Sequence, residues 1–477
     1  MTKINLTDLT IRKAHEAMKT GDFSARELTQ TYLNKITEVN PNLNAYLHLF
    51  DGALKQADEA DKRFKDGTAE LLTGIPMAIK NNICIKGEIT TAASKILENY
   101  RAIYDATVIE KLRKAGAVFL GGTNMDEFAM GGSTENSAYG VTKNPYDDTR
   151  VSGGSSGGSV VAVAMDGSLA SLGTDTGGSI RQPSSFCGTV GLKTTYGRVS
   201  RYGAIAMGSS LDQIGPVTKN VADAEIIFDC IKGDDDMDST TIPENLIKEL
   251  KVKEKMTIGI PRHFMKEGID EDVMKNFDES IEKLKSLGHV IKDIEIPNID
   301  YALATYYIIM PAEVSTNLSR FDGVRFGLYK DGGENLLQDY MKTRAEGFGP
   351  EARRRIILGT YVLSAGYYDA YYDKATALRE VMKKDFTKAF EEVDIILTPT
   401  APTPAFKIGE KSDDPVQMYL SDIFTVSANM VGVPALAVPS GFTERDSKQL
   451  PLGIQFMAPW MGENILFEIG KDFLGEK

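Results

Sequence analysis

The sequence is poor in the residues that build metal sites and disulfide frameworks. Its 477 residues include three cysteines and four histidines. Cys84, Cys187 and Cys230 are scattered, form no CxxC pair and lie in no cluster of histidines and cysteines. This argues against a zinc site and a disulfide framework, and it favours a reducing compartment such as the cytoplasm. We therefore expect neither a metal nor another cofactor in this chain.

Long apolar segments and an excess of positive charge are also missing. No stretch reaches 18 consecutive apolar residues, and the amino terminus has no apolar signal-peptide core. The sequence therefore predicts neither a membrane span nor secretion. The formal net charge is -13, which argues against a primary grip on nucleic acid, because such a grip needs a basic stripe to neutralise phosphates. Any contact with RNA would depend on a partner or on one local patch.

A helical pattern gives way to a mixed one near residue 71. Before it, apolar residues lie three and four positions apart, and Ser24 is placed to cap the second helix. After it, short apolar runs such as Ile75–Ile79 alternate with helical stretches such as Ala106–Ala115. This alternation is typical of α/β layered folds. We predict one large α/β domain over residues 1–477, in four parts: N-terminal helices in 1–70, a catalytic core in 71–230, a mostly helical insertion in 231–390, and a return to the core sheet in 391–477.

The predicted insertion has its own pattern. A polar connection is followed by a strand–helix–strand unit over Thr257–Ile294, and then by a long tyrosine-rich helical stretch over Ala352–Phe390. Short apolar runs at Asp394–Leu397 and Ala435–Val438 mark the return to strands.

The segment Ser152–Ser159 reads Ser-Gly-Gly-Ser-Ser-Gly-Gly-Ser. Taken alone, this composition is typical of a flexible linker. Here, however, it opens directly into the small apolar run Val160–Met165. It lacks the Gly-Lys-Ser/Thr ending of a phosphate-binding loop, and the GxGxxG dinucleotide motif is absent. Hydroxyls and backbone amides at a helix start are the parts of a nucleophile and an oxyanion hole.

A second such element is Ser171–Pro183, which reads Ser-Leu-Gly-Thr-Asp-Thr-Gly-Gly-Ser-Ile-Arg-Gln-Pro. A short strand runs into a Gly-Gly turn that lifts Ser179 onto the start of the next helix. Gly177 and Gly178 would let the backbone approach a substrate carbonyl. The alternative is a tight turn in which Ser179 only caps the helix.

An activated serine needs a base, and the histidines offer none near the Gly-Ser region. They are His15, His48, His263 and His289. The better candidate is Lys80, which follows the apolar run Ile75–Ile79, because a lysine at the end of a buried strand is desolvated and its ammonium pKa falls. Alternatively, Lys80 is a surface residue whose ammonium reaches solvent.

Together, Lys80 and the two glycine–serine motifs resemble the amidase signature family, over essentially the whole chain. The resemblance implies an α/β/α sandwich around a mixed central sheet, and a Ser–cis-Ser–Lys triad for acyl transfer. By motif position, Ser179 would be the nucleophile, Ser155 the bridging serine and Lys80 the ultimate base, with Ser156 as the rival for the bridging role. The implied oxyanion hole consists of the backbone amides around Thr176, Gly177 and Gly178.

Three further segments, 123–137, 317–327 and 354–360, resemble one subgroup of this family, the glutaminase subunits of bacterial tRNA-dependent amidotransferases. The resemblance implies a heterotrimer with B and C subunits. The glutaminase would supply ammonia from glutamine, and the B subunit would use ATP and Mg to convert Glu-tRNA(Gln) to Gln-tRNA(Gln). The tRNA would be held mainly by the B subunit, and the C subunit would strap the other two together.

The same resemblance implies residues that bind glutamine. Arg355 would pair bidentately with the α-carboxylate, which suits guanidinium geometry, and Asp422 would take the α-ammonium. Tyr306, with Tyr307 as the fallback, would line the pocket beside Met130. The alternative for Arg355, one of three successive arginines, is a solvated helix face.

Three functions remain open from the sequence. The first is the glutaminase subunit, the second is a stand-alone amidase acting on a small aryl or aliphatic amide, and the third is a non-catalytic binding module. The pair Arg355 and Asp422 favours the first, because an amino-acid zwitterion needs both charges and an apolar amide needs neither. The presence of Lys80, Ser155 and Ser179 argues against the third.

Overall fold

Eleven strands form one mixed sheet in the computed structural model, which describes residues 4–248, 250–265, 268–412 and 414–476. The strands are β1 (Tyr46–Leu49), β2 (Pro76–Lys80), β3 (Val118–Thr123), β4 (Ala170–Asp175), β5 (Val190–Lys193), β6 (Gln213–Thr218), β7 (Thr257–Ile260), β8 (Val290–Asp293), β9 (Ile395–Pro399), β10 (Ala435–Arg445) and β11 (Lys448–Met457). Their order across the sheet is β1-β3-β2-β4-β6-β5-β10-β11-β9-β7-β8. The pairs β2–β3, β2–β4, β7–β8 and β7–β9 are parallel, and the others are antiparallel. The predicted α/β class, with a mixed central sheet, is confirmed.

Fifteen α-helices accompany the sheet in the described ranges. They are α1 (Ile11–Thr20), α2 (Ala25–Leu43), α3 (Ala53–Lys65), α4 (Thr107–Lys114), α5 (Gly157–Ala164), α6 (Arg181–Cys187), α7 (Val221–Ile231), α8 (Glu271–Ser286), α9 (Ala302–Asn317), α10 (Leu336–Gly347), α11 (Pro350–Val362), α12 (Asp373–Glu392), α13 (Pro415–Leu420), α14 (Val426–Val431) and α15 (Glu463–Leu474). The predicted cap is confirmed: the Ser24 hydroxyl accepts a hydrogen bond from the backbone N–H of Glu27, in a full capping box. In the described part of the chain, no helix is long and apolar enough to cross a membrane.

Two predictions about segments are wrong in part. Residues 1–70 are not helices alone, because β1 pairs antiparallel with β3 at the sheet edge. Four residues are too few to show a strand period, and the pairing partner lies far along the chain. The stretch Ala352–Phe390 is not one helix either. Helix α11 ends at Val362, a π-helical turn occupies Tyr368–Tyr372, and α12 starts at Asp373. Gly366 lies between them with φ of 84°, a left-handed conformation that ends a helix.

Strands from all four predicted segments contribute to the one sheet, including β7 and β8 of the mostly helical part. The central strands position the candidate site. β2 and β4 are parallel neighbours, so their carboxyl ends, Lys80 and Asp175, lie at the same edge. The chain leaves β4 through the Gly-Gly turn and enters α6, while the Ser152–Ser159 loop enters α5. These loops therefore meet at one edge of the sheet, the usual location of sites in α/β folds.

Candidate active site

Lys80 is fully buried at the end of β2 and is surrounded by hydroxyl groups. Its Nζ atom donates to Ser155 Oγ, Ser156 Oγ and Thr174 Oγ1, each at 2.8 Å. The Thr174 carbonyl lies 3.3 Å away. This excludes the alternative in which the Lys80 ammonium reaches solvent. Lys80 is instead a buried amine in contact with both serines that the sequence offered as relays.

Burial lowers the pKa of Lys80 to about 7, although the carboxylates of Asp126, Asp175 and Asp212 oppose this. Desolvation removes the water that stabilises an ammonium ion, so the neutral amine becomes accessible near neutral pH. A neutral amine can accept a proton from a hydroxyl in hydrogen-bond contact with it. The electrostatics of the site thus suit Lys80 to the role of a base.

The glycine–serine loop is an ordered part of the buried core and not a linker. Ser155 and Ser156 are both fully buried, and the peptide bond between Gly154 and Ser155 is cis. The Gln182 side chain accepts the Gly154 N–H at 3.0 Å, and the Ser155 carbonyl accepts the Asp126 N–H at 3.3 Å. These contacts hold the loop against both helix α6 and the 126–136 segment.

The two candidate bridging serines differ in their other contacts. Ser156 Oγ donates to the Thr174 carbonyl at 3.0 Å and accepts the Thr174 N–H at 3.3 Å. Within the ranges described, Ser155 Oγ forms a hydrogen bond only with Lys80. Ser156 therefore joins the loop to β4, whereas the Ser155 hydroxyl keeps an acceptor position for a second proton donor.

Ser179 lies in the turn after β4, and this turn is held by a buried ion pair. The Arg181 guanidinium donates to both oxygens of Asp175 at 3.1 Å. Burial opposes ionisation of Asp175, but Arg181 outweighs it and lowers the pKa of the carboxyl to about 2. Asn429 Nδ2 also donates to Asp175 at 2.9 Å. Removing one partner of such a pair costs about 3–5 kcal/mol, so the ion pair stabilises this conformation of the turn.

The position of Ser179 excludes the role of a simple helix cap. Helix α6 begins after Ile180, and it is the Asp175 carboxylate, not the Ser179 hydroxyl, that accepts the N–H groups of Ile180 and Arg181 at the helix start. The Ser179 carbonyl accepts the Ser156 N–H at 3.0 Å, which brings the turn and the serine loop together. Among the residues described, the Ser179 hydroxyl donates no hydrogen bond to Ser155. Catalytic hydrogen bonds in ligand-free enzymes are often long and tighten when substrate binds.

One of the three predicted oxyanion donors is already used. The Gly178 N–H donates to Asp175 Oδ1 at 2.9 Å, so this amide serves the turn itself. In the described chain, the amides of Thr176, Gly177 and Ser179 have no acceptor. The prediction for Gly178 is therefore corrected, and Ser179 replaces it as a candidate donor. Gly178 still has to be glycine, because its φ is 131° and a β-carbon would lie 2.2 Å from Thr425 Oγ1.

Arg355 is buried on α11, which excludes the alternative of a solvated helix face. Its side chain is 4% exposed, whereas that of the neighbouring Arg354 is 49% exposed. Arg355 Nε donates to Glu351 Oε1 at 2.7 Å, and its Nη1 points to Met310 Sδ at 3.5 Å. Burial opposes the charge of Arg355, but nearby phenol and carboxylate groups outweigh it and raise the pKa of the guanidinium. The guanidinium is thus a fixed positive charge inside the protein.

Asp422 supplies an acidic group that Thr425 links to the Gly-Gly turn. Thr425 Oγ1 donates to the Gly177 carbonyl at 2.6 Å and to the Asp422 carbonyl at 3.1 Å. Burial raises the pKa of the Asp422 carboxyl to about 8, with Arg355 opposing. A β-carbon on Gly132 would lie 3.9 Å from Asp422 Oδ1, so the carboxyl faces the 130–136 loop.

The predicted aromatic residues connect Arg355 with the turn. A β-carbon on Gly177 would lie 2.7 Å from Tyr306 Cζ, so the Tyr306 ring packs on the turn. Tyr307 is perpendicular to Tyr306 at 5.0 Å, and it lies 5.5 Å from the Arg355 guanidinium. Met130 is buried in the same apolar cluster as Tyr306. Tyr306 therefore packs directly on the turn that carries Ser179, and Tyr307 lies between Tyr306 and Arg355.

Sequence reasoning missed Thr174, Glu351 and Tyr419. Thr174 lies inside the second motif, and its contact with Lys80 follows from the parallel pairing of β2 with β4. Glu351 lies one helical turn before Arg355, a spacing that favours an ion pair and could have been noticed. Tyr419 donates to Glu351 Oε1 at 3.0 Å across 68 residues of sequence, and no local pattern indicated it.

The described residues contain no group of three His, Cys, Asp or Glu side chains placed to hold a metal ion. The three cysteines are not joined by disulfides. The acidic residues of the site are used otherwise, because Asp175 pairs with Arg181 and Asp126 accepts the backbone amides of Thr134 and Asn136.

Comparisons with known proteins agree with this geometry. The family model described as Amidase matches residues 27–467. The A subunit of the glutamyl-tRNA(Gln) amidotransferase of Thermodesulfovibrio yellowstonii is 53% identical over 465 residues, which cover 96% of this chain and 94% of that protein. The crystal structure of the corresponding protein from Thermotoga maritima is 40% identical with a TM-score of 0.80, covering 99% of this chain and 95% of that one.

A third relative has a different named activity. The native peptide amidase of Stenotrophomonas maltophilia is 27% identical, with a TM-score of 0.80 over 98% of this chain and 97% of that one. The likeness thus extends from one enzyme type to another on the same fold. Because the family model spans most of its length and the similar proteins match it nearly end to end, this chain belongs to the amidase family.

Proposed function

We propose that this chain is the glutaminase component of a tRNA-dependent amidotransferase that converts Glu-tRNA(Gln) to Gln-tRNA(Gln). The observation that supports this most is that the site offers both a guanidinium, Arg355, and a carboxyl, Asp422, close enough for Arg355 to oppose the rise in the pKa of Asp422. An amino acid presents an α-carboxylate and an α-ammonium, which these two groups match. An uncharged amide would engage neither group, whereas an α-ammonium would favour the ionised form of Asp422, whose pKa is about 8 without it.

The chemistry starts with the side-chain amide of glutamine. Neutral Lys80 takes a proton from Ser155, which takes one from Ser179 as the Ser179 oxygen bonds to the amide carbon. The amides of Thr176, Gly177 and Ser179 donate to the developing oxyanion, and each such donor contributes about 3–4 kcal/mol to the transition state. The nitrogen then leaves as ammonia, carrying the proton returned from Lys80 through Ser155, and a γ-glutamyl ester remains on Ser179.

Water completes the cycle. It gives a proton to the same relay and bonds to the ester carbon, and the released Ser179 oxygen takes the proton back. The products are glutamate, ammonia and the free enzyme, and no electron transfer is involved. In both steps the protons are carried by side chains of this chain, so the proposed reaction requires no cofactor.

The remaining parts of the reaction belong to partners. The names of the similar proteins describe one component of an amidotransferase acting on glutamyl-tRNA(Gln), so a multi-subunit complex is the setting we propose. The B subunit would bind ATP, Mg and most of the tRNA, and the C subunit would join the two larger chains. The net charge of -13 fits a chain that leaves the tRNA to a partner. The place of action would be the cytoplasm, where tRNA is charged.

The test measures ammonia release from glutamine by this chain co-expressed with its B and C partners, with and without Glu-tRNA and ATP. Wild type should release ammonia faster when the tRNA and ATP are present. Ser179→Ala should abolish release. Arg355→Ala should raise KM by about 10²-fold, since a buried charge partner of the substrate is lost.

Arg353→Ala is the matched control, because Arg353 is an exposed residue of the same helix whose guanidinium, within the described ranges, donates to the Ala345 carbonyl at 3.3 Å. It should leave KM within about twofold of wild type. Release that survives Ser179→Ala would contradict the assigned nucleophile. If glutamine is untouched while a simple aryl amide is cleaved, the stand-alone amidase is the correct function instead.

A further inference from the structure

The carboxylate of Glu351 accepts hydrogen bonds from three groups, with Arg354 at its Oε2 atom and two groups at Oε1. Its Oε1 atom accepts from Arg355 Nε at 2.7 Å and from the Tyr419 hydroxyl at 3.0 Å. Burial opposes ionisation of Glu351, but Arg355 outweighs it and lowers the pKa of the carboxyl. A charged acceptor therefore joins the phenol of one segment to the guanidinium of another.

Aromatic rings fix the same guanidinium from the side. Tyr419 stacks on Tyr307 with ring centroids 3.9 Å apart. The Arg355 guanidinium carbon lies 5.5 Å from each of the two ring centroids, within the range of a cation–π contact. In the part of the chain that the structure describes, Nη2 of Arg355 makes no hydrogen bond. The contacts thus orient the guanidinium while leaving donors for a ligand carboxylate.

Tyr419 is on the short helix α13, which is close to Asp422 in the chain. No residue of α13 is buried, and Val416 and Leu420 are 64% and 43% exposed. The stacking on Tyr307 and the bond to Glu351 connect this exposed helix to the site. Both groups that meet the charges of an amino acid therefore depend on one segment: Asp422 belongs to it, and Arg355 is held by it.

We propose that Tyr419 is a positioning residue which orients Arg355 through Glu351. The segment 415–422 then takes part in the recognition of both the α-carboxylate and the α-ammonium of the amino-acid substrate. This rests on the proposed function, because it assumes that a zwitterionic amide is the substrate. Tyr419 sets the affinity for glutamine and leaves the reactivity of Ser179 unchanged, since in the described part of the chain its side-chain hydrogen bond and ring stacking involve Glu351 and Tyr307, and neither the serine loop nor the Gly-Gly turn.

The experiment compares Tyr419→Phe, Glu351→Gln and the double variant in the complex with the B and C partners. Tyr419→Phe keeps the stacked ring and removes only the hydroxyl. We expect KM for glutamine to rise by about tenfold, as for the loss of a hydrogen bond to a charged group, with kcat within about twofold of wild type. The double variant should have the KM of Glu351→Gln alone, because the two residues act through one contact.

A second readout tests the nucleophile without the amino-acid charges. The rate at which a small uncharged sulfonyl fluoride inactivates the complex should be the same in wild type and Tyr419→Phe. The matched control is Tyr329→Phe, because the Tyr329 hydroxyl donates to Asp339 Oδ2 at 2.8 Å on the surface. This control should change neither KM nor the inactivation rate.

The outcomes are distinct. An unchanged KM in Tyr419→Phe overturns the inference, and so does a parallel loss of glutamine hydrolysis and of sulfonyl fluoride inactivation, which would indicate a general structural role. If Ser179→Ala complexes bind glutamine equally well with and without Tyr419→Phe, as measured by calorimetry, the inference is also wrong. A wild-type complex that never hydrolyses glutamine overturns the proposed function itself, and the inference with it.

Discussion

Lys80 and Lys193 are two buried lysines with the same local setting and different surroundings. Lys80 is the last residue of β2 and Lys193 the last of β5, and their exposed fractions are 0% and 1%. Burial lowers the pKa of each to about 7. By burial and electrostatics alone, either could be the base of a hydrolase.

The difference lies in the acceptors around each amine. Lys80 contacts three hydroxyl groups, two of them in the loop beside Ser179. The Lys193 Nζ donates to the Thr194 carbonyl at 2.8 Å, and a carbonyl has no proton to give back. Besides burial, the charge of Arg181 lowers the pKa of Lys193 further, whereas carboxylates dominate around Lys80. Desolvation prepares a neutral amine, and hydroxyl neighbours turn it into a proton relay.

The largest expected effect separates the two lysines by activity. Lys80→Met removes the base, so kcat/KM for ammonia release from glutamine should fall by about 10²–10⁴-fold. Lys193→Met should stay within about threefold of wild type, since no reacting group contacts Lys193. Both variants are assayed in the partner complex, with thermal unfolding as the check that they fold. Equal losses of activity in the two variants would contradict the distinction between the two lysines, because burial alone would then explain both losses.

A second prediction distinguishes the two serine hydroxyls that contact Lys80. Ser155→Ala interrupts the proposed proton relay from Ser179 to the amine and should lower kcat by about 10²-fold or more. Ser156→Ala removes an equally short contact to Lys80, but one whose hydroxyl is bound to β4, and should cost about tenfold. The assay is single-turnover acylation by glutamine, which isolates the first chemical step. The reverse order would assign the bridging role to Ser156.

The third prediction concerns pH. A lysine whose folded-state pKa is lowered to about 7 is neutral above that pH and charged below it. With saturating glutamine, kcat should therefore rise by about tenfold per pH unit below 7 and level off above it. Lys193→Met should keep the same midpoint. A midpoint that moves with Lys193, or a profile that is flat between pH 5 and 8, would contradict the assignment of Lys80.

The two lysines also show how much of the candidate site could be predicted from the sequence. Both end short apolar runs, Ile75–Ile79 and Val190–Leu192, and nothing local distinguishes them. Lys80 could be selected because the two long glycine–serine motifs resemble a known family that has such a lysine. The hydroxyls that make it a relay come from Ser155, Ser156 and Thr174, which lie 75 to 94 residues away. Only the pairing of strands brings them together.

The same reasoning applies to the fold and to the substrate site. Strands β2 and β7 could be predicted because they are short buried apolar runs, whereas β1 depends on pairing with β3 and is too short to show a period. Arg355 and Asp422 could be carried over from motif resemblance. Tyr419 could not, because its role arises from a contact with Glu351 on another helix. The hydrogen bond that occupies the Gly178 amide could not be predicted either, because it depends on the orientation of the Asp175 carboxylate.

The smallest expected effect is on stability. Because the pKa of Lys193 falls from 10.5 to about 7 on burial, the unfolded chain binds one more proton between these pH values, and wild-type stability should rise with pH across that window. Lys193→Met removes this cost, so thermal unfolding at pH 7 should shift upward by about 1–3 °C. The gain should shrink as the pH approaches 10.5, where the unfolded lysine is neutral as well. Lys80→Met should behave in the same way while losing activity. A downward shift in Lys193→Met would mean that the Thr194 carbonyl outweighs desolvation, and that the two buried lysines differ in energy as well as in chemistry.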